Sequence, residues 1–257
     1  MEMSRLLGLQ NGIIYGPIDS RRLGSSLGIN LLPVEYKACP FNCAYCQYGY
    51  TPARGYKSVW GGDDMPPVAE VAEALRIGLG KYPDVSYITF SGNGEPTLHP
   101  QFGEIVDEVR KIKEELTAGA KLAILSNSAL VSRAEIREAL GKLDVCFMKL
   151  DAGDEEMFRR YNRSHKDIKY DEVIEGLKQL GEITIQALFA GGEHGNYNDL
   201  HIKNWARKID ELKPSECHIY SLDRGTPDGK LTQIDKNGLI RLTEIAAGYT
   251  DVPIKVF

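Results

Sequence analysis

Segments rich in β-branched and aromatic residues alternate with amphipathic segments along most of this chain. Apolar residues three or four positions apart, typical of helices, separate short apolar runs that have the length of strands. Such alternation is typical of βαβ units, whose neighbouring strands are parallel. The predicted strands cover residues 28–33, 85–90, 121–125, 145–150, 183–190 and 216–222, and the predicted helices cover 66–81, 102–116, 132–140, 155–161, 170–180, 199–212 and 234–247. The sequence therefore predicts an α/β fold with about six parallel strands, fewer than the eight of a closed barrel.

The chain of 257 residues is long enough for one large α/β domain. We expect a single domain over 1–257, with a core at about 27–225, an N-terminal extension over 1–26, and a C-terminal helix and tail over 230–257. No apolar run approaches the length that spans a bilayer, and the first residues lack the apolar core of an export signal. Five cysteines, an odd number, suit a reducing compartment. These features predict a cytoplasmic protein with no membrane partner.

Three of the cysteines lie close together, at Cys39, Cys43 and Cys46. Three thiols cannot pair off, and the intervening loops are too tight for ordinary disulfide geometry, so we expect a metal centre. Thiolates bind iron–sulfur clusters and zinc. Zinc requires a fourth Cys or His ligand, whereas Cys146 and Cys217 stand alone in predicted strands, where cysteine behaves as a small buried hydrophobe. An iron–sulfur cube normally takes four cysteine ligands, so a three-cysteine loop leaves one iron open for a non-protein ligand.

Glycine and polar residues follow the ends of three predicted strands. They are Gly92, Asn93, Gly94 and Glu95 after the second strand, Ser126 and Asn127 after the third, and Asp151 after the fourth. Ligands of parallel sheets collect at the carboxyl ends of strands, so these positions are candidates for a binding site. Glycine lets the backbone approach a ligand closely, and the carboxylate of Glu95 can accept from an ammonium group. An ordinary turn with Glu95 at the start of a helix is the alternative.

The cysteine spacing, with Tyr45 directly before Cys46, resembles the loop of the radical S-adenosylmethionine (SAM) superfamily. Three further segments resemble landmarks of that family in the expected order, and the resemblance covers roughly residues 27–225. These segments are Ser91-Gly-Asn-Gly-Glu-Pro96, Leu125-Ser-Asn-Ser128 and Lys149-Leu-Asp151. The resemblance implies a partial (β/α)6 barrel with parallel strands. It also implies that the cysteine loop holds a [4Fe–4S] cluster whose fourth iron binds the amino and carboxylate groups of SAM.

The same resemblance implies which residues contact the cofactor. In this family the glycine-rich segment holds the SAM amino group, the Ser/Asn pair lies near the ribose, and the aromatic residue of the loop lies by the adenine. The implied cofactor-binding residues are Tyr45, Gly92, Asn93, Gly94, Glu95, Ser126, Asn127 and Asp151, beside the cluster ligands Cys39, Cys43 and Cys46.

Membership of that superfamily implies an oxygen-sensitive enzyme. A low-potential donor such as ferredoxin or flavodoxin would reduce the cluster, and SAM would be split into methionine and a 5′-deoxyadenosyl radical that abstracts hydrogen from a substrate. The sequence of residues 15–24 and 91–100 is most similar to the wyosine-synthase-like group, which acts on transfer RNA, although we expect no counterpart here of the flavin domain of its eukaryotic members. The net charge of −5 gives no overall attraction to nucleic acid, so a nucleoside or tRNA base is a candidate substrate without support from charge.

Two other functions share parts of the pattern. The chain length also suits a glycyl-radical-enzyme activating enzyme, whose substrate is a partner protein. An electron-transfer iron–sulfur protein is the non-enzyme alternative, and it needs a fourth cysteine ligand. Basic residues at Arg21–Arg22, Arg159–Lys166 and Arg224 stand near aromatic residues or strand ends, where they can either contact a substrate phosphate or form a solvated face.

Overall fold

The computed structural model describes residues 6–20, 22–53, 55 and 64–257. The strands are β1 (Ile14–Ser20), β2 (Gly24–Ile29), β3 (Tyr87–Phe90), β4 (Lys121–Ser126), β5 (Val145–Lys149), β6 (Thr184–Leu188), β7 (Gly191–Gly192), β8 (Glu216–Tyr220), β9 (Leu231–Thr232) and β10 (Ile254–Val256). The helices are α1 (Val68–Lys81), α2 (Phe102–Leu116), α3 (Ala134–Leu140), α4 (Glu155–Met157), α5 (Tyr170–Lys178), α6 (Asp199–Leu212) and α7 (Lys236–Ala246). A 3₁₀ turn spans Pro96–Leu98, and a π turn over Phe158–Asn162 continues α4.

The main sheet has eight strands in the order β1-β2-β3-β4-β5-β6-β8-β10. Every pair is parallel except β1 with β2, and the neighbours Ile29, Phe90 and Ile124 are in register, so the strands end at a common level. Within the described ranges, the edge strands β1 and β10 do not pair with each other, so the barrel stays open. The predicted α/β partial barrel is confirmed.

Side chains alternate between the two faces of this sheet, as the pleat requires. On the outer face, Leu122 and Met148 belong to the main hydrophobic core, which the helices share. On the inner face, Ala123 and Phe147 form a second, small cluster. Lys149 follows Phe147 by two residues in β5, so it lies on the same inner face at the end of the strand. The interior of the barrel therefore has an apolar floor and polar side chains above it.

The strand predicted over 28–33 is wrong in its bounds, because β2 ends at Ile29. Asn30 turns the chain locally: its Nδ2 donates to the Leu32 carbonyl at 2.9 Å, and its Oδ1 accepts from the Leu32 N–H at 3.4 Å. Asparagine side chains that bond to nearby backbone compete with a strand ladder in this way. The chain consequently leaves the sheet before the cysteine loop begins.

Two strands of the main sheet, β1 and β10, lie outside the predicted set. β1 contains Gly16 and Pro17, and its register with β2 shifts between Tyr15 and Ile18, so its sequence has no clean alternation. β10 is only three residues long and follows the last predicted helix. The segment ahead of residue 27, expected as an extension, thus joins the sheet.

Among the described residues, no helix has the length and apolarity required to cross a bilayer.

Replacing Leu75 by alanine is expected to lower the free energy of unfolding by about 2–5 kcal/mol, since this side chain of α1 is fully buried and its loss leaves a cavity. Urea unfolding measures the change. The matched control is Leu200→Ala on α6, where the leucine is 69% exposed and the expected change is within about 0.5 kcal/mol. Equal effects at the two positions would contradict the placement of the core.

Candidate functional site

A cavity of about 610 Å³ opens at the carboxyl ends of the parallel strands. Cys39, Cys43 and Cys46 line it together with residues at five strand ends. These residues include Ser91 after β3, Ser126 in β4, Lys149 in β5, Leu188 in β6 and Tyr220 in β8. The volume is that of a site for a small molecule or a cofactor.

The cysteine loop packs between the glycine segment after β3 and the π turn after α4. The Ala38 N–H donates to the Asn93 carbonyl at 3.0 Å, and the Glu95 N–H donates to the Ala38 carbonyl at 3.1 Å. Further along the loop, the Ala44 N–H donates to the Tyr161 carbonyl at 2.9 Å. Backbone bonds to two separate segments therefore fix a loop that has no regular structure of its own.

Each of the three thiols accepts a hydrogen bond from a side-chain nitrogen outside the motif. The donors are Asn127 Nδ2 to Cys39 Sγ at 3.3 Å, Asn162 Nδ2 to Cys43 Sγ at 3.5 Å, and Lys37 Nζ to Cys46 Sγ at 3.2 Å. All three cysteines are free, two are buried, and Cys46 is half-buried. Donors of this kind stabilise negative charge on sulfur. Over the described ranges, no three His, Cys, Asp or Glu side chains converge as ligands of one ion would, whereas cluster ligands bind separate iron atoms.

Lys37 is a site residue that the sequence reasoning missed. Its side chain is buried, and its Nζ donates to the Gly49 carbonyl at 2.9 Å as well as to Cys46. Burial lowers the pKa of Lys37, but the three neighbouring sulfurs in their ionised form outweigh it, so the pKa lies above its ordinary value. Lys37 therefore supplies a buried positive charge beside the cysteines. The sequence signal that could have identified Lys37 as a site residue is its position two residues before Cys39.

A buried carboxylate holds the aromatic residue of the motif. The Tyr45 hydroxyl donates to Asp151 Oδ2, which also accepts from Asn162 Nδ2 at 2.7 Å. The other oxygen, Oδ1, accepts from the Leu188 N–H at 2.8 Å and lies 3.6 Å from Lys149 Nζ. Tyr45 lines the cavity, whereas Asp151 is buried behind it. Asp151 thus connects the cysteine loop to the ends of β5 and β6 and to the π turn.

Gly92 and Gly94 line the cavity in backbone conformations that other residues rarely adopt, with φ of +123° and +143°. A Cβ on Gly94 would lie 1.8 Å from the Ala38 carbonyl oxygen, and a Cβ on Gly92 would lie 2.5 Å from Asn30 Oδ1. Both positions require glycine for close packing, and at Gly94 the close neighbour is the backbone just before Cys39.

Asn93 is buried behind this wall, and the structure gives the partners of its side chain. Its Nδ2 donates to the Pro33 carbonyl at 2.9 Å and to the Gln10 carbonyl at 3.0 Å, and its Oδ1 accepts from the Gln10 N–H at 2.7 Å. These bonds tie the N-terminal segment to the glycine segment. The predicted contact of Asn93 with a cofactor stays a prediction.

Glu95 is also fully buried, and its carboxylate accepts four hydrogen bonds from within the protein. The donors are the Thr97 N–H at 3.2 Å, the Thr97 hydroxyl at 2.7 Å, the Ser126 hydroxyl at 2.9 Å and the Asn127 N–H at 2.6 Å. Burial raises the pKa of Glu95, and these bonds offset part of that rise. Glu95 fixes the end of β4 and does not line the cavity, so its predicted contact with an ammonium group stays a prediction.

The predicted site residues therefore form two groups. Those that line the cavity are Cys39, Cys43, Cys46, Tyr45, Gly92, Gly94, Ser126 and Asn127. Those buried behind it are Asn93, Glu95 and Asp151.

The basic residues that the sequence analysis named also divide into those that line the cavity and those that do not. Arg22 and Arg224 line the cavity, and Arg21 lies outside the described residues. None of the cluster from Arg159 to Lys166 lines it; Arg159, for example, donates to Ser164 at 2.9 Å.

Comparison with known proteins gives a family and a fold. A family model described as "Radical SAM superfamily" matches residues 36–209. The chain is 32% identical to a UPF0026 protein of Synechocystis, with 94% of this chain and 95% of that protein covered. It is 31% identical to a UPF0026 protein of Methanocaldococcus jannaschii, with 80% of this chain and 62% of that protein covered. The chain thus spans less than two thirds of the length of the second relative.

Solved structures resemble the chain in fold. The structure described as "Structure of TYW1 with a lysine-pyruvate adduct bound" superposes with a TM-score of 0.61 at 15% identity, over 88% of this chain and 74% of that one. The structure of Streptococcus suis SuiB bound to S-adenosylmethionine gives a TM-score of 0.61 at 16% identity, over 89% of this chain and 50% of that one. At these identities the likeness concerns the fold alone.

Replacing Gly94 by alanine is expected to destabilise the protein by at least 1–3 kcal/mol, roughly the cost of a strained backbone, because its Cβ would collide with the Ala38 carbonyl. Urea unfolding measures this change. Gly80→Ala in α1 is the matched control, since a Cβ there meets open space, and it is expected to raise stability by up to about 1 kcal/mol. A Gly94→Ala variant as stable as the parent would contradict the close packing of the cysteine loop on this segment.

Proposed function

We propose that this chain, which belongs to the radical SAM superfamily, binds a [4Fe–4S] cluster through Cys39, Cys43 and Cys46 and cleaves SAM reductively. The observation that carries the proposal is the set of three free thiols at the mouth of a partial barrel, each with a nitrogen donor. Three protein ligands leave one iron of a cube for a ligand in the adjoining cavity.

The donor set fits such a cluster. Burial raises the pKa of Cys39 to about 12 and also raises that of Cys43, so these thiols stay neutral at physiological pH unless a cation binds them. The buried Tyr161 hydroxyl has no hydrogen-bond partner among the described residues. Its ring centroid lies 4.9 Å from that of Tyr45, so an unused polar atom stands near the cysteine loop.

When bound, the cluster supplies the electron that splits SAM into methionine and a 5′-deoxyadenosyl radical, which removes hydrogen from a substrate. The chain's own residues bind and position. We assign the wall of the SAM pocket to Tyr45, Gly92, Gly94, Ser126 and Asn127, which line the cavity.

Residues behind the wall hold it in place. Glu95 orients Ser126 and Asn127, and Asp151 orients Tyr45, through the bonds described above. Asn93 anchors the glycine segment to residues 10 and 33. The substrate enters the same cavity, and a low-potential protein such as ferredoxin or flavodoxin donates the electron.

The electron-transfer alternative is less well supported by the positions of the remaining cysteines. That function needs a fourth protein ligand, but Cys146 lies in β5 and Cys217 in β8, both buried, and neither lines the cavity. A cluster with four protein ligands would also leave the cavity of about 610 Å³ beside the three cysteines without an explanation.

Alanine at Cys39, Cys43 or Cys46 is expected to abolish formation of 5′-deoxyadenosine from SAM under dithionite, because each loss removes one iron ligand. The reaction is followed by chromatography after anaerobic reconstitution, with iron content measured on the same samples. Cys146→Ala serves as the matched control, since this buried cysteine lies in a strand away from the cavity. Cleavage that survives in any of the three loop variants would count against the assignment.

Replacing Lys37 by methionine is expected to lower the reduction potential of the cluster by on the order of 60 mV, equivalent to about 1.4 kcal/mol for one electron. A cation 3.2 Å from Cys46 Sγ favours the reduced, more negative state, and methionine removes the charge while it keeps most of the volume. Potentiometric titration followed by EPR measures the potential.

Lys178→Met on the exposed side of α5 is the control for this experiment and is expected to leave the potential unchanged. An unchanged or raised potential in Lys37→Met would contradict the role given to Lys37.

A further inference from the structure

The wall of the cavity comes from two parts of the chain. Residues 36–209, which match the family model, supply the cysteine loop and the ends of β3 to β6. The rest comes from outside that match, namely from residues 15, 18–20 and 22, from the segment between Tyr220 and Gly225 after β8, and from Phe257. Members of a superfamily that share one cofactor are expected to bind it through the residues that match the family model. We therefore expect the lining segments outside the match, here called the added segments, to recognise the substrate.

Four basic side chains line the cavity, and two of them already contact an acceptor at the site. Lys37 donates to the sulfur of Cys46, and Lys149 lies 3.6 Å from an oxygen of Asp151. The other two, Arg22 and Arg224, come from the added segments. Neither forms an ion pair with a carboxylate of the described residues.

Arg22 is held in a fixed position by neutral groups. Its guanidinium carbon lies 4.8 Å from the ring centroid of Tyr220, and its Nη1 donates to Gln186 Oε1 at 2.9 Å. Gln186 is itself fixed, since its Nε2 donates to the Phe147 carbonyl at 3.2 Å. These contacts orient the guanidinium without neutralising it, and they leave its other N–H groups for a further acceptor.

Arg224 lines the same cavity and contacts the end of the cysteine loop. Its Nη1 donates to Gln47 Oε1 at 3.2 Å, and Gln47 directly follows Cys46. Two acidic residues, Asp19 and Asp223, also line the cavity and are exposed, as Arg224 is, and no ion pair joins either of them to Arg22 or Arg224 in the described part of the chain. The added part of the wall thus offers two guanidinium groups, and neither forms an ion pair with a carboxylate of the described residues.

We propose that Arg22 and Arg224 bind an anionic oxygen group, a carboxylate or a phosphate, on the substrate of this enzyme. That the bound molecule is a substrate rests on the proposed function, whereas the anion site itself rests on the place of both arginines in one cavity wall and on their contacts with neutral groups. Charge-assisted bonds from guanidinium to an oxyanion are strong and directional, and they hold one end of the molecule so that another part faces the cysteine loop. The substrate class is therefore a small molecule or nucleotide with an acidic group.

The test is calorimetric titration of the anaerobically reconstituted, SAM-bound enzyme with inorganic phosphate and, separately, with malonate. At least one of the two anions is expected to bind, and at least tenfold more weakly in the double variant R22Q/R224Q. A response to phosphate alone identifies a phosphate site, and a response to malonate alone identifies a carboxylate site. R22K, which keeps the charge but not the planar fork, is expected to lose less affinity than R22Q.

R207Q is the matched control, because Arg207 lies 4.8 Å over the ring of Tyr249 in the same stacked arrangement, on α6 and away from the cavity. It is expected to keep the parent's affinity for the anion. Failure of both anions to bind the parent, or equal binding by parent and double variant, would overturn the proposal. So would an equal loss of SAM affinity, measured on the same samples, because Arg22 and Arg224 would then hold the carboxylate of SAM.

The anion titration measures heat and does not depend on turnover. If the parent binds the anion through these arginines but forms no 5′-deoxyadenosine, the proposed function fails and the anion site stands. If the parent cleaves SAM but has no anion site, only the present inference fails.

Discussion

The carboxylate of Asp151 is the contact on which the arrangement of the site depends. The cysteine loop does not belong to the sheet, so its position depends on its backbone bonds to neighbouring segments and on side-chain bonds to the ends of β5 and β6. Asp151 is buried and accepts from Tyr45, Asn162 and the backbone N–H of Leu188, with Lys149 close by. A buried carboxylate costs free energy unless its oxygens are satisfied, and here several donors converge on it. One side chain consequently sets the distance from the loop to β5, to β6 and to the π turn.

A second set of hydrogen bonds joins the cysteine loop to the glycine segment after β3, and it depends on the backbone conformation of Gly94. Gly94 lets the Ala38 backbone approach within bonding distance, and Glu95 ties that segment to the end of β4. Asn127, which Glu95 orients through its N–H, in turn donates to Cys39. The strand ends and the cysteine sulfurs are therefore connected by short chains of hydrogen bonds. Residues such as Glu95, which do not line the cavity, position the residues that do.

The local part of this design could be predicted from the sequence, and the long-range part could not. The cysteine spacing and the glycine segment are short motifs, and the central strands follow from apolar periodicity, so Cys39 could be placed in a metal-binding loop and Gly94 at a strand end in advance. Lys37 carries no motif, and Asn162 reaches Cys43 across 119 positions of the sequence. The side to which Glu95 points depends on where Ser126 lies after folding. The bounds of β2 depended on a local bond of Asn30 that periodicity does not register.

The charge balance of the loop is consistent with the proposed metal centre. Lys37 is 4% exposed and forms no ion pair with a carboxylate in the described part of the chain, yet its pKa lies above the ordinary value because of the sulfurs around it. Burial raises the pKa of Cys39 to about 12 even with Lys37 beside it, and next to neutral thiols the lysine would lose the charged partners that hold its own pKa up against burial. Ionised cysteines resolve the conflict, and cysteines ionise in such surroundings when they bind a cation. The buried lysine and the buried thiols are each unfavourable separately, and they are compatible when the thiols are metal ligands.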